Sequence, residues 1–127
     1  MPTQIIEGVS HIDAKDLKQL LDEHKEDVYV IDVREPEEYT EGHIPTVPLL
    51  PMGDIPDVIE QFDKEAEYVI VCRSGRRSLE VSKFFQNEGI PKVHNYLGGM
   101  LEWPYETSTG LERVVTEFSM DNIKRGK

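Results

Sequence analysis

The chain has 127 residues, with 25 Asp and Glu against 14 Lys and Arg for a net charge of −11, and one cysteine. One domain spanning 1–127 is expected, large enough to bury about 65–70% of its unfolded surface, and a disulfide framework, an internal resolving thiol and a cysteine-rich metal site are excluded. The acidic balance argues against nucleic acid or an anionic membrane surface as partners. His11, His24, His43 and His94 are scattered without ligand spacing, so no metal is expected. No basic start followed by an apolar run is present and no apolar stretch approaches about 18 residues, so neither a signal peptide nor a membrane span is expected and the expected location is cytoplasmic.

Gln4-Ile5-Ile6 and Val9-Ser10-His11-Ile12 are apolar enough for one short edge strand. Asp13 is placed to cap a helix running to about His24, with Ile12 and Leu17 stapling its start and Leu17, Leu20 and Leu21 forming its stripe. Val28-Tyr29-Val30-Ile31-Asp32-Val33 predicts a buried strand, and Pro36 followed by acids predicts a short helix stopped at Gly42. Structural roles are expected for Asp32, accepting backbone N–H groups in its turn, and for Arg34, pairing with Glu38 or a neighbouring acid. Val47-Pro48-Leu49-Leu50 fits an edge strand and Ile55 to Phe62 a helix. Tyr68-Val69-Ile70-Val71 has no polar alternation and predicts a strand buried on both faces, ending at Cys72. Leu79, Val81, Phe84 and Phe85 then mark a helix stopped by Gly89 ahead of Pro91. Lys92 to Tyr96 predicts a final strand, and Gly98-Gly99 a tight turn into a helix holding Trp103 as a core residue. In the extension 105–127, Leu111, Val114, Val115 and Phe118 fall at helical spacing and predict an amphipathic helix, closing the core or meeting another copy. Strands alternating with helices imply an α/β fold with a parallel sheet covered on both faces.

Cys72 therefore lies at the carboxyl end of a buried strand, in a loop opening onto a helix N-terminus, where α/β sheets place ligand sites. Arg73, Arg76 and Arg77 crowd that N-terminus, although a first turn favours acids by about 0.3–1 kcal/mol each. A departure of this kind without structural gain marks an anion site. An inert buried thiol is the competing reading, since free cysteines are commonly buried. The strand end, the glycine and the three arginines together favour the functional one. They form a local positive spot on an acidic body whose long-range field slows small anions.

Cys72-Arg73-Ser74-Gly75-Arg76-Arg77-Ser78 resembles the active-site loop of the rhodanese family of sulfurtransferases, of the form C-x-x-G-x-R. Asp32-Val33-Arg34-Glu35 with Glu38-Tyr39 and Gly42-His43-Ile44-Pro45 resembles that family's upstream signature, and Gly98-Gly99-Met100-Leu101-Glu102-Trp103 its downstream one, over about 8–104. The resemblance implies a three-layer fold, with a central, mostly parallel sheet of about five strands and helices on both faces. It implies that Cys72 takes the outer sulfur of thiosulfate or another sulfane donor, that sulfite leaves, and that the persulfide passes its sulfur to cyanide, a thiol or a protein acceptor without a cofactor. Arg73, Ser74, Gly75, Arg76, Arg77 and Ser78 are then the substrate-binding loop, with Asp32, Arg34 and Glu38 in support. Thr46-Val47 stands where the family usually has Gly-Ala, which is expected to alter a loop and not the chemistry. A cysteine phosphatase or arsenate reductase loop has the form C-x5-R, whereas here the sixth position after Cys72 is Ser78 and the loop is one residue short. Retention of Cys72 with all three arginines also speaks against a catalytically silent binding module. A helix N-terminus beside arginines favours a thiolate, but thiolate nucleophilicity falls with basicity at a slope of about 0.4–0.5. The larger gain is expected from N–H groups that stabilise negative charge at the loop.

Overall fold

The computed structural model describes residues 4–23 and 27–124. Successive strand side chains alternate between faces, and here both faces are apolar. Val28, Val30, Val69 and Val71 fall in one buried cluster, and Ile31, Val33, Tyr68, Ile70 and Cys72 in the other. Strands β1 (Gln4–Ile6), β2 (Val9–Ile12), β3 (Val28–Asp32), β4 (Glu67–Val71) and β5 (Val93–Tyr96) form one sheet in the order β1-β2-β5-β4-β3. All neighbours pair in parallel except β1 with β2. Helix α1 (Ala14–Asp22) contributes Leu17, Leu20 and Leu21 to the first cluster; α3 (Ile55–Val58) and α4 (Arg76–Asn87) contribute Ile55, Val81 and Phe85 to the second. The expected three-layer α/β architecture is therefore present. Register places Asp32 opposite Val71, so β3 and β4 end side by side and the segments leaving them share one edge.

Local signals hold at several element starts. The Asp16 N–H donates to Asp13 Oδ1 at 2.8 Å, capping α1. The end expected near His24 lies outside the described residues. In α2 (Pro36–Glu41), proline occupies the first turn and Glu35 and Glu38 form a reciprocal capping box. Four expectations change ahead of the extension. The single N-terminal edge strand is a two-strand hairpin turning at Glu7 and Gly8, both at positive φ. The Ile55 to Phe62 helix is the single turn α3 followed by a 3-10 turn, Ile59–Gln61. Only Leu49 of the expected 47–50 strand makes a bridge. Trp103 is half-buried and follows a 3-10 turn, Met100–Glu102, in place of a helix. Among the described residues no helix is long and apolar enough to cross a membrane.

The extension is not the helix its spacing predicts. Leu111 is 60% exposed, and the backbone around it bonds outward instead of along a helix. His43 and Ser108 exchange N–H···O bonds of 2.9 and 2.8 Å, Gly110 N–H reaches Thr40 O, and Leu49 is gripped by Arg113 O at 2.8 Å and Val115 N–H at 3.0 Å. Groups spent on another segment are not available for i to i−4 bonds. Gly110 at φ +84° and the β-branched pair Val114-Val115 also disfavour a helix. The result is a strap that ends with Phe118 and Met120 packed on the second cluster and Ile123 fully buried within it.

The Thr46-Val47 departure proves to be a strained point, because Thr46 sits at φ +71° with its N–H donated to Glu112 Oε1 of the strap at 3.1 Å. A non-glycine residue pays about 1–2 kcal/mol in this region, while glycine's extra unfolded-state freedom costs about 0.5–1 kcal/mol. Thr46→Gly is expected to raise stability by about 0.5–1 kcal/mol, read as a higher urea midpoint at unchanged slope. A lower midpoint would show that contacts of the threonine side chain outweigh the backbone strain.

Candidate active site

The face shared by Tyr68, Ile70 and Cys72 is the α4 face, so the Cys72 side chain leaves the sheet toward the start of that helix. Helix α4 begins at Gly75, at φ +90° and with no side-chain cap. Its first N–H groups need acceptors, and the sulfur supplies one. Cys72 Sγ accepts the Gly75 N–H at 3.1 Å and the Ser78 N–H at 3.3 Å, and lies 3.2 Å from Ser78 Oγ. Cys72 itself is 0% exposed, so the thiol lies beneath its own loop. Two N–H donors and the positive end of a helix are an arrangement that stabilises a sulfur anion.

The loop carbonyls are held elsewhere. Met100 N–H donates to Cys72 O and Leu101 N–H to Arg73 O, both at 2.9 Å. These bonds need a residue without a side chain between the strands of the turn. A Cβ on Gly99, at φ +62°, would stand 2.5 Å from both C and O of Arg73 and 2.6 Å from Cys72 O. The Gly98-Gly99 turn is thus part of the site's wall.

The arginines divide into locked and free. Arg34 is buried, with Nε 3.0 Å from Asp32 Oδ1, Nη2 2.8 Å from Asp32 Oδ2 and the same Nη2 2.8 Å from Gly42 O. Asp32 also accepts the Arg34 N–H at 3.0 Å, so this pair has the structural geometry expected of it, Arg34 taking the neighbouring acid. Glu38 instead takes Arg77 in two bonds of 2.7 Å. The Arg77 hydrogen bonds hold the Glu38 carboxyl down at about 2, and the carboxylate raises Arg77 in return. Of the three loop arginines, Arg77 is tied back to Glu38, whereas Arg73 and Arg76 are exposed, as is Ser74. Arg73 lines a cleft of about 280 Å³ together with Glu38, Gly42, Met100, Leu101 and Thr107. Among the described residues no group of three His, Cys, Asp or Glu converges on a metal position.

Asn95 belongs to the site and was not anticipated. It faces Ile70 across one ladder and His11 across the other, which puts it on the cysteine face. Its Nδ2 donates to Gly75 O at 3.0 Å, and its Oδ1 accepts the Ser78 hydroxyl. The available signal was an amide in an otherwise buried strand, since buried amides need partners.

A family model described as Rhodanese-like domain matches residues 13–106. A Bacillus subtilis protein provisionally named a sulfurtransferase is 46% identical over 99 residues, covering 78% of this chain and 94% of that protein. A sulfurtransferase of Allochromatium vinosum is 38% identical over 95 residues, covering 75% and 88%. The crystal structure of a rhodanese-like domain protein from Staphylococcus aureus superposes with a TM-score of 0.70 at 39% identity, covering 79% of this chain and 97% of that one.

The Glu38–Arg77 pair gives a pH test. Its side chains are 27% and 32% exposed, so after solvent screening the pair contributes about 1 kcal/mol. The carboxyl is lowered from its ordinary 4.5 to about 2, so the contribution is complete above about 4.5 and disappears as pH falls toward 2. Wild type should exceed Glu38→Gln in unfolding free energy by about 1 kcal/mol at neutral pH, with the gap closing through that acid window. A gap that does not vary with pH would mean that charge is irrelevant to the pair.

Proposed function

The chain belongs to the rhodanese-like domain family, and from that premise we propose that it transfers a sulfane sulfur through Cys72. The observation that carries this reading is the sulfur at the start of α4, accepting the Gly75 and Ser78 N–H groups. Donors fixed on Sγ favour the thiolate before loading and stabilise the charge that returns to Sγ as the persulfide discharges. In the first step the Cys72 thiolate attacks the outer sulfur of thiosulfate, the donor's S–S bond breaks, and sulfite leaves with the electron pair. In the second, cyanide or a thiolate attacks the outer sulfur of the persulfide and the pair returns to Sγ. With one cysteine in the chain, the sulfur must pass to another molecule. The cycle needs no cofactor.

Thiosulfate as donor is supported by the exposed Arg73 beside the loop and by similarity to a protein of Pseudoalteromonas translucida named as a thiosulfate sulfurtransferase, 31% identical over 103 residues. Cytoplasmic residence and a small thiol or protein acceptor complete the proposal. The thiol is covered at rest, so the segment 73–75 must shift to admit a donor. Phosphatase chemistry fits less well, because Arg77 is turned onto Glu38 and cannot close round a phosphate without breaking that pair.

Intact-protein mass spectrometry after thiosulfate treatment tests the proposal. The wild type should gain one sulfur, lose it to cyanide or reductant, and gain none as Cys72→Ser. Absence of the gain in wild type would sink the assignment.

Arg73→Ala should chiefly raise the thiosulfate KM, by roughly fivefold, the effect of about 1 kcal/mol from one exposed charge. An unchanged KM would mean that this guanidinium does not read the donor.

A further inference from the structure

A line of buried polar groups runs from the sulfur back through the sheet. Cys72 Sγ lies 3.2 Å from Ser78 Oγ, and Ser78 Oγ donates to Asn95 Oδ1. Asn95 Nδ2 donates to Gly75 O at 3.0 Å and to His11 Nδ1 at 3.2 Å, and His11 Nε2 donates to Ile6 O at 3.4 Å. Ser78, Asn95 and His11 are 0%, 1% and 3% exposed, so none of them exchanges partners freely with water. The ends of the line set its direction. Gly75 O and Ile6 O can only accept, which turns the Asn95 nitrogen to Gly75 and leaves His11 Nδ1 as an acceptor. Asn95 Oδ1 is left facing Ser78, whose hydroxyl has a single hydrogen. While that hydrogen is on Asn95, Ser78 presents a lone pair to Sγ, which suits an S–H group and opposes an anion.

We propose that the Ser78 hydroxyl is a two-position donor and that Asn95 is the positioning residue that draws it off the sulfur whenever the sulfur is neutral. The proposal rests on the sulfur-transfer reading above. In the thiol, S–H donates to Oγ and O–H to Asn95. Once the thiol has lost its proton to solvent, the hydroxyl turns to Sγ and joins the two N–H donors, leaving Asn95 Oδ1 without one. When the thiolate has attacked the donor, Sγ is the neutral bridging atom of a persulfide whose charge is on the outer sulfur, and the hydroxyl returns to Asn95. When the acceptor attacks the outer sulfur, the S–S bond breaks, the electron pair goes to Sγ, and the hydroxyl follows the charge. Ser78 therefore acts most strongly where Sγ is the leaving group, and it adds little to a ground state in which that sulfur is neutral.

Iodoacetamide alkylation of Cys72 against pH, in wild type, Asn95→Leu, Ser78→Ala and the double variant, reads the hydroxyl's direction without requiring sulfur transfer. The titratable and charged groups around the thiol are Arg73, Arg76, Arg77 with Glu38, Asp32 with Arg34, and His11; all are kept in these variants, and only His11 loses a partner, its bond from Asn95, which Asn95→Leu removes in both backgrounds alike. Asn95→Leu should move the alkylation curve to lower pH by about one unit, the size of one hydrogen bond to an ion. Ser78→Ala should move it to higher pH, and adding Asn95→Leu to Ser78→Ala should move it no further. A curve that Asn95→Leu leaves in place or moves to higher pH, or an equal displacement in both backgrounds, overturns the proposal. Asn95→Ala serves the same arms if the leucine variant does not fold. Discharge of a preformed persulfide to cyanide should slow about tenfold in Ser78→Ala while loading changes less; equal slowing of both steps also overturns it. Failure of wild type to take up sulfur would remove the functional reading, yet the alkylation arms would still decide where the hydroxyl points.

Discussion

The loop depends on the backbone of Gly99 lying against the carbonyl groups of Cys72 and Arg73. At 2.5–2.6 Å from a notional Cβ, that contact admits no side chain, and it brings the Met100 and Leu101 N–H groups onto those carbonyls. A carbonyl oxygen turned toward Sγ would oppose negative charge there. Held on the far side, the two carbonyls leave the sulfur to the Gly75 and Ser78 N–H groups. Gly75 closes the arrangement from the opposite direction, since its own Cβ position lies 3.2 Å from Gly98 N. Two chain reversals, each at positive φ, are thus packed against each other, and each explains a glycine in the other.

Charge around the loop is arranged in the same economical way. Arg34 is neutralised by Asp32 and Arg77 by Glu38, so two of the four guanidinium groups near the site act as braces. Arg73 and Arg76 keep their charge toward solvent, on a chain of net charge −11. Surface charges are screened beyond about 8–10 Å at ordinary salt, so the sign of the potential that an anion meets reverses only in its last approach. Under the proposed transfer from an anionic donor, capture is a matter of contact at the loop mouth, because the acidic body repels anions at longer range.

Elements whose pattern is local were legible. The unbroken apolar run of β4, the Asp13 cap of α1 and the proline start of α2 each state their structure within a few residues, and the three motifs in order stated the family. What was not legible is the choice among partners. Arg34 and Arg77 compete for Asp32 and Glu38, and only the side-by-side ends of β3 and β4 decide which pair forms. Asn95 looked like one polar residue in a short strand, because its three partners come from the loop, α4 and β2. The strap misled for a different reason. Leu111, Val114, Val115 and Phe118 do fall at helical spacing, but His43 and Leu49 offer backbone groups that Ser108, Arg113 and Val115 take up, and tertiary pairing overrode a weak propensity.

The strap also explains why a domain of this family tolerates threonine at a left-handed position. Glu112 Oε1 accepts both the Thr46 N–H at 3.1 Å and, at 2.8 Å, a bond from His43 Nε2, and the His43 bond lowers the Glu112 carboxyl. His43 in turn stacks on Tyr39 with ring centres 3.7 Å apart, and Tyr39 donates its hydroxyl to Val47 O at 2.6 Å. Tyr39 follows Glu38 on α2, the residue that holds Arg77. A continuous set of contacts therefore joins the strap to the arginine behind the cysteine loop, through a carboxylate, an imidazole, an aromatic stack and one helix. Such continuity transmits rigidity and does not by itself make a switch, which would need an element with two arrangements. The strap thus packs against α2 through His43 and Tyr39, and on the same helix Glu38 meets Arg77 with both oxygens, which keeps that guanidinium off the sulfur.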